Sequence, residues 1–236
     1  MMDFNISLSG LRTALDRQSV TANNLANVTT PAFKAQRVAQ VNVSSGGSRV
    51  ASVSANLSQG PLELSDGGFH LAVRGNGWFA LESSDGPRYT RAGIFHVDND
   101  GHLAESNGYR LSPDIQLPAD ASGMEIMPGG EVFAVLSGGD RVQIGQIRLA
   151  RFLNEQGLSQ EGGNLVASGP ASGDPRYGSP GVDPFGDIAF GYLEGSNVDL
   201  ASEIVDQIVN RVAAMANIGA LKTEKEMSQE IIDLVA

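Results

Sequence analysis

The sequence predicts an α+β protein in which N- and C-terminal helices pair as a coiled coil and a central, mostly antiparallel β domain lies between them in the chain. Two observations carry that prediction. Apolar residues recur at alternating spacings of three and four at both ends, the signature of a helix with a narrow seam. Between the ends the texture changes to short alternating runs cut by glycine, the signature of hairpin-linked strands.

The elements follow in order. Leu8, Leu11, Leu15, Gln18, Ala22 and Leu25 are spaced 3, 4, 3, 4, 3, predicting a helix over residues 5–27 with one polar interruption at Gln18. Asn23, Asn24 and Asn27 are poor helix formers, and Pro31 biases Thr30 toward extended backbone. Together they predict that the helix stops there, with amide side chains bonding freed carbonyls or adopting positive φ. Residues 41–66 open on VNVSSGGSRVASVSANLSQG, whose Ser, Gly and Ala content and weak alternation predict a linker. The β domain is expected over 67–187, with strands at His70–Val73, Trp78–Leu81, Tyr89–Val97, Glu131–Leu136 and Val142–Phe152. Asn99-Asp100-Gly101 makes a tight turn between two of them. A turn-rich stretch over 167–187 reads as a second linker. Val198, Ala201, Val205, Ile208, Val212, Met215 and Gly219 repeat the 3, 4 spacing, and Met227, Ile231 and Leu234 continue it out of phase. A second helix is therefore expected from Asp199 onward, with a break near Gly219. The resulting division is 1–40 for the first helix and its motif, 41–66 linker, 67–187 β domain and 188–236 for the last helix.

Composition narrows the function. With 236 residues and 41% apolar content the chain can bury a core. The net charge of −11 is distributed as +2 over residues 1–40, −8 over 41–189 and −5 over 190–236, and no cluster of five basic residues occurs. That pattern argues against nucleic acid and anionic membrane as partners, leaving proteins. Asp3, Arg12, Asp16 and Arg17 interrupt the region where a cleavable signal would need an unbroken apolar centre. Zero cysteines exclude disulfides and thiolate chemistry.

Catalytic and ligand motifs fail on inspection. His96 and His102 flank the predicted turn, but with Asp98 and Asp100 they make a weak metal set; all three histidines, His70 included, read as solvent-facing turn residues. A calcium loop starting at Asp98 needs Gly at its sixth position and Glu at its twelfth, which here are Leu103 and Tyr109. Gly75-Asn76-Gly77-Trp78 lacks the third glycine and the following helix of a phosphate cradle. No Gly-x-Ser-x-Gly elbow occurs. The expectation is a protein that is not an enzyme, with no cofactor, metal or small-molecule substrate. Aromatic content of 6%, with Trp78, Tyr89, Tyr109, Tyr177 and Tyr192 as the candidate stacking residues, gives little support to the alternative of an adhesin or carbohydrate-binding β module with a helical stalk.

The motifs also carry a family resemblance. Ala22-Asn23-Asn24-Leu25-Ala26-Asn27, followed by Thr30, Phe33 and Lys34, resembles the N-terminal ANNLAN and T-x-G-F-K/R motif of bacterial flagellar rod and hook axial proteins. FHLAVRGNGWF over 69–79, YTRAGIF over 89–95 with Asp98, Asp100, Gly101 and Leu103, and the pair 147–157 and 162–165 are similar to successive blocks of that family. GYLEGSNV over 191–198 is similar to its approach to the last helix. The family glycine before Phe33 is Ala32 here, and the aromatic that commonly follows Arg211 is replaced by Val212 and Ala213. The compact β zone and TTPAFKAQ resemble the proximal rod protein more than the distal one.

The resemblance implies a structural subunit of the basal-body rod, exported through the flagellar type III apparatus without a cleaved signal. In the periplasm such a subunit would polymerise with itself and with other rod and hook axial proteins into a helical tube that encloses the export channel and transmits torque. The assembly interface is expected at Leu8, Leu11, Leu15, Ala22, Asn23, Asn24, Leu25, Asn27 and Phe33 at one end. At the other it is expected at Val198, Val205, Ile208, Val212 and Met215. Because ordering a residue costs about 1–2 kcal/mol, helices with such thin seams are expected to be partly disordered until assembly. On the same logic Asn24→Ala or Asn27→Ala would disturb assembly more than monomer folding.

Overall fold

The computed structural model describes residues 4–44 and 46–235; Asp3, used in the leader argument, lies outside them. The chain divides into two units. One comprises the chain up to Thr29, residues Lys34–Asn56 and the chain from Val198 onward; the other comprises Thr30–Phe33 and Leu57–Asn197.

The first unit contains α1 (Phe4–Ala26), a hairpin of β1 (Gln36–Asn42) and β2 (Ser48–Ala55), and α2 (Leu200–Val235). Both helices are formed and packed together in the single chain. α2 is also continuous for 36 residues: Gly219 sits in open space within it and does not break it. A lone helical glycine costs only about 1 kcal/mol, which the flanking turns of a long helix absorb. Asp199 caps the start of α2. Its Oδ1 accepts the Ala201 N–H at 3.0 Å and its Oδ2 accepts the Ser202 hydroxyl at 2.8 Å. The Ser202 hydroxyl and backbone bonds hold the Asp199 carboxyl below the usual carboxylate range.

The segment expected as a linker is largely strand. Gln36 pairs with Ala55 and Asn42 with Ser48, with an irregularity between Ala39 and Gln40. Its alternation is weak because one face is open, with most positions of the two strands exposed. What holds it is hydrogen bonding to α1: Thr13 Oγ1 donates to the Ser48 carbonyl at 3.1 Å, and the Ser48 N–H donates to Ser9 Oγ at 3.2 Å. Small hydroxyl residues carry this contact, and a search for apolar periodicity overlooks them.

The second unit is an antiparallel β body. Its large sheet runs, in spatial order, Ser159–Gly162, Leu165–Ala167, Arg88–Thr90, Trp78–Glu82, Arg110–Ser112, Leu103–Glu105, Ile94–Val97, Phe69–Arg74 and Asp187–Phe190. Leu149–Arg151 also pairs with Trp78–Glu82, and Arg176–Gly178 pairs with Leu149–Arg151. Residues 167–187 therefore contribute strand to the body instead of linking it to the helix. A three-stranded meander (Ala121–Ile126, Glu131–Leu136, Arg141–Gln146) and a short pair (Leu62–Leu64 with Tyr192–Glu194) complete the unit.

The run Trp78-Phe79-Ala80-Leu81 is apolar throughout because its strand is covered on both faces. Phe79 and Leu81 enter one core cluster while Trp78 and Ala80 enter another. Phe79 meets Phe95 edge-on at 5.4 Å, and Tyr89 meets Phe152 edge-on at 4.8 Å. Desolvation, reinforced by the Tyr177 hydroxyl, pushes the Tyr89 phenol well above its ordinary range.

The motifs set aside as ligand sites have structural roles. Asp98 Oδ1 accepts the N–H groups of Asp100 and His102 at 2.9 and 2.8 Å, so this carboxylate closes the turn itself. Those bonds, the His102 one first, hold the Asp98 carboxyl below its usual range. His102 Nδ1 lies 2.7 Å from Asp114 and His70 Nδ1 lies 2.7 Å from Ser65 Oγ, so these two rings are hydrogen-bonded, while His96 faces solvent. Gly75 and Gly77 present carbonyl oxygens to the Arg91 guanidinium at 2.8 and 2.5 Å, the opposite polarity to a phosphate cradle. Arg91 is completed by the Val73 carbonyl at 3.2 Å and by Glu194 Oε2 at 2.9 Å, and the Gly60 N–H donates to Glu194 Oε1. Both partners of this ion pair are buried.

Ala32 keeps the left-handed backbone that glycine supplies in the family, with φ 58°. Its N–H donates to the Glu194 carbonyl at 2.7 Å, and the adjoining Pro31 carbonyl accepts Asn164 Nδ2 at 2.8 Å. Alanine accepts the strain of this left-handed backbone, roughly 1–2 kcal/mol. Ala32→Gly is expected to leave urea stability unchanged or slightly higher. Ala32→Val, a β-branched residue at a buried left-handed position, is expected to cost about 2–3 kcal/mol. Equal midpoints for the two variants would contradict this backbone assignment.

Candidate assembly interface

The α1–α2 contact is built from small and polar side chains. The pairings run antiparallel: Asn24 bonds Glu203, Thr21 bonds Asn210, and Gly10 lies against Asn217, where a Cβ would collide with the amide. On α1 the buried residues Ser7, Ala14 and Thr21 are heptad-spaced, with Gly10 and Asn24 completing the same 3, 4 pattern. On α2 Glu203, Asn210 and Asn217 repeat every seven residues. The predicted apolar seams are displaced from these faces. The α1 seam lies one residue on, about 100° around the helix, and the α2 seam from Val205 lies two residues on, about 200° around.

The predicted interface residues are therefore divided. Leu8, Leu11 and Leu25 are half-buried on the flank of α1, while Leu15 is 54% exposed and Ala22 and Asn23 are exposed. Val205, Ile208, Val212 and Met215 are exposed by 58–61% along the outer face of α2, and Val198 is half-buried just before it. Leu15 and Ile208 line one groove of about 370 Å³, with Gln18, Gln207, Arg211 and Ala214. Phe33 belongs to the other unit, where its carbonyl accepts the Asn197 N–H at 3.3 Å.

The asparagines also separate. Asn27 Nδ2 donates to the Asn23 carbonyl at 2.9 Å, a local closure of the end of α1. Asn24 is fully buried and joins three elements. Its Oδ1 accepts the Gln36 N–H at 2.8 Å, and its Nδ2 donates to the Gln36 carbonyl at 2.9 Å and to Glu203 Oε1 at 3.0 Å. This corrects the expectation for Asn24→Ala. The substitution strands two backbone groups and a carboxylate, and is expected to cost about 2–3 kcal/mol of helix-unit stability in urea, followed by circular dichroism at 222 nm. A loss under about 0.5 kcal/mol would show that these bonds contribute little.

The residues missed from sequence are Ser7, Gly10, Ala14 and Thr21, with Glu203, Asn210 and Asn217 opposite. Their own 3, 4 spacing was the available signal, hidden because the adjacent positions carry leucine. Among the described residues, no group of three or more His, Asp or Glu is placed to hold a metal ion, and no helix is long and apolar enough to cross a membrane.

Paired terminal helices with an apolar outer stripe, and a β body inserted between them in sequence, are the arrangement of a flagellar axial protein. Residues 4–34 match the family described as flagella basal body rod protein. Residues 72–134 match the flagellar hook protein FlgE/F/G D1 domain, and 190–234 the flagellar basal body rod FlgEFG protein C-terminal. The flagellar basal-body rod protein FlgG of Agrobacterium fabrum is 34% identical over 94% of this chain and 95% of its own length. FlgG of Bacillus subtilis is 32% identical over 96% of each. The flagellar hook protein FlgE of Salmonella typhimurium is 34% identical, but over 54% of this chain and 30% of the hook protein. The chain belongs to the flagellar basal-body rod protein family, as a structural subunit whose place is the basal body.

Proposed function

We propose that this rod subunit polymerises with copies of itself through the α1–α2 hairpin, each copy's apolar outer stripe docking on a neighbouring hairpin. The groove shared by Leu15 and Ile208 is the observation that carries this reading, since it brings the predicted seams of both helices to one open surface. Val205, Val212 and Met215 extend that surface along α2. Burial of each such side chain contributes roughly 1.5–3 kcal/mol, and it is available only between subunits because the intramolecular face is already occupied. Repetition of one head-to-tail contact generates a helical assembly.

In this reading the polymer spans the periplasm as part of the rod. It encloses the export channel, transmits torque, and meets other rod and hook proteins at its ends. Its subunits arrive through the flagellar export apparatus without signal cleavage. The division of the chain into a helical assembly zone and a β body is retained, with β1 and β2 moved from the linker to the helical zone. Electron microscopy of basal bodies purified from cells carrying a tagged copy is the test. Label along the rod is expected, and intact basal bodies free of label would overturn the proposal.

A further inference from the structure

Among the described residues, a carboxylate bonded across the helix pair is buried without a cation of its own. Glu203 is 2% exposed in the first turn of α2, and its Oε1 accepts a single described hydrogen bond, from Asn24 Nδ2 at 3.0 Å. Among the described residues no Arg or Lys nitrogen comes within 4 Å of it; the nearby Arg37 guanidinium on β1 sits 3.8 Å from Asp206 instead. The Asn24 amide and, after it, the Arg37 guanidinium favour its charge, while Asp206 of α2 and Asp199 just before the helix disfavour it. Arg17 of α1 lines the same polar cavity, of about 250 Å³, with Asn24, Gln36 and Asn210. Asn24 in turn bonds the backbone of Gln36, so Glu203 sits at a point where α1, β1 and α2 are joined.

We propose that Glu203 is a proton-sensitive latch on the helix pair, holding the pair closed as the buried neutral acid and loosening it as the carboxylate, whose burial outweighs the stronger bond it takes from Asn24. The acid keeps the Oε1 acceptor that Asn24 uses, and it removes a desolvated charge from the seam. Burial, the largest influence on this group, raises its pKa above the ordinary glutamate value. The sign follows. A carboxyl that holds its proton more tightly folded than unfolded stabilises fully below the unfolded pKa, and that contribution is lost as pH rises through the folded pKa. The hairpin therefore opens more readily as pH rises from the ordinary glutamate range through that raised pKa. The latch bears on rod assembly only through the reading that the hairpin is the assembly unit; its existence is a property of the isolated monomer.

The test uses the monomeric full-length chain. The Glu203 side-chain carboxyl is titrated by carbon-13 NMR, and opening of α1 is followed by native-state hydrogen exchange at Thr21 and Asn24, corrected for intrinsic rates, in the natural chain and in Glu203→Gln. The expected midpoint lies above that of free glutamate. Within that window the opening constant of the natural chain rises by up to about tenfold per pH unit relative to Glu203→Gln, whose amide mimics the neutral acid. A midpoint at or below the free value, or parallel pH dependence in the two proteins, overturns the latch and leaves the rod function untouched. Should Glu203→Gln not fold, the midpoint alone decides. Loss of motility in another variant bears on assembly and not on this titration.

Discussion

Leu15→Asp is expected to leave the monomer folded, with urea stability within about 1 kcal/mol of the natural chain, and to abolish both swimming in soft agar and recovery of the protein in basal bodies. The asymmetry follows from where Leu15 lies. With 54% of its surface exposed, the monomer has little burial to lose and the new carboxylate remains hydrated. In the polymer the same position would be desolvated against a neighbouring copy, where an unpaired charge costs several kcal/mol in every subunit of the assembly. Ile208→Asp, at the opposite wall of the same groove, is expected to reproduce the phenotype. Normal swimming by both variants would remove the groove from the assembly interface, whereas a monomer that unfolds would show Leu15 to be core.

Arg91→Ala is expected to produce the opposite separation, a severe loss of monomer stability confined to the β body. Its guanidinium satisfies the carbonyls of Val73, Gly75 and Gly77 as well as Glu194, all in a buried setting. Truncation takes the Arg91 cation from the fully buried Glu194 carboxylate, whose Oε1 still accepts the Gly60 N–H. Removal of one partner from a buried pair costs about 3–5 kcal/mol. Trp78, the single tryptophan, is buried in that body, so its fluorescence reports the transition separately from the helical signal at 222 nm. A shift of less than about 1 kcal/mol in the fluorescence transition would show that the surrounding backbone relaxes to solvate Glu194.

The two helices were legible because a heptad of leucines, valines and isoleucines survives whatever face it ends up on. Which face it occupies was not legible. Periodicity reports that residues share a side of a helix, and the side that meets the partner in the same chain was marked by Ser7, Gly10, Ala14 and Thr21, residues whose contribution is close approach and hydrogen bonding. The β body was legible where strands are covered on both faces, as at Trp78–Leu81, and where a turn has a strong chemistry, as at Asp98–Gly101. It was illegible at β1 and β2, whose outer face is exposed and whose attachment rests on Ser9, Thr13 and Ser48. Arg91 and Glu194 are 103 residues apart, and no local pattern joins them. The resemblance of YTRAGIF marked Arg91 without saying what it binds. Ala32 is the inverse case, in which a departure from the family motif still adopts the positive φ that glycine favours, because alanine is small enough to tolerate it.

The contact of Gly10 with Asn217 has a mechanical consequence. Where two helices are separated by long flexible side chains, a force along one axis can be dissipated as rotamer changes and slip. Here the backbone of one helix lies directly against an amide of the other. A slide of half a turn would bring a side chain of α1 into the space that glycine leaves empty. At this point the pair is keyed against sliding, although little apolar surface glues it together. In a shaft that must rotate without winding up, such keying is a property each subunit has to supply.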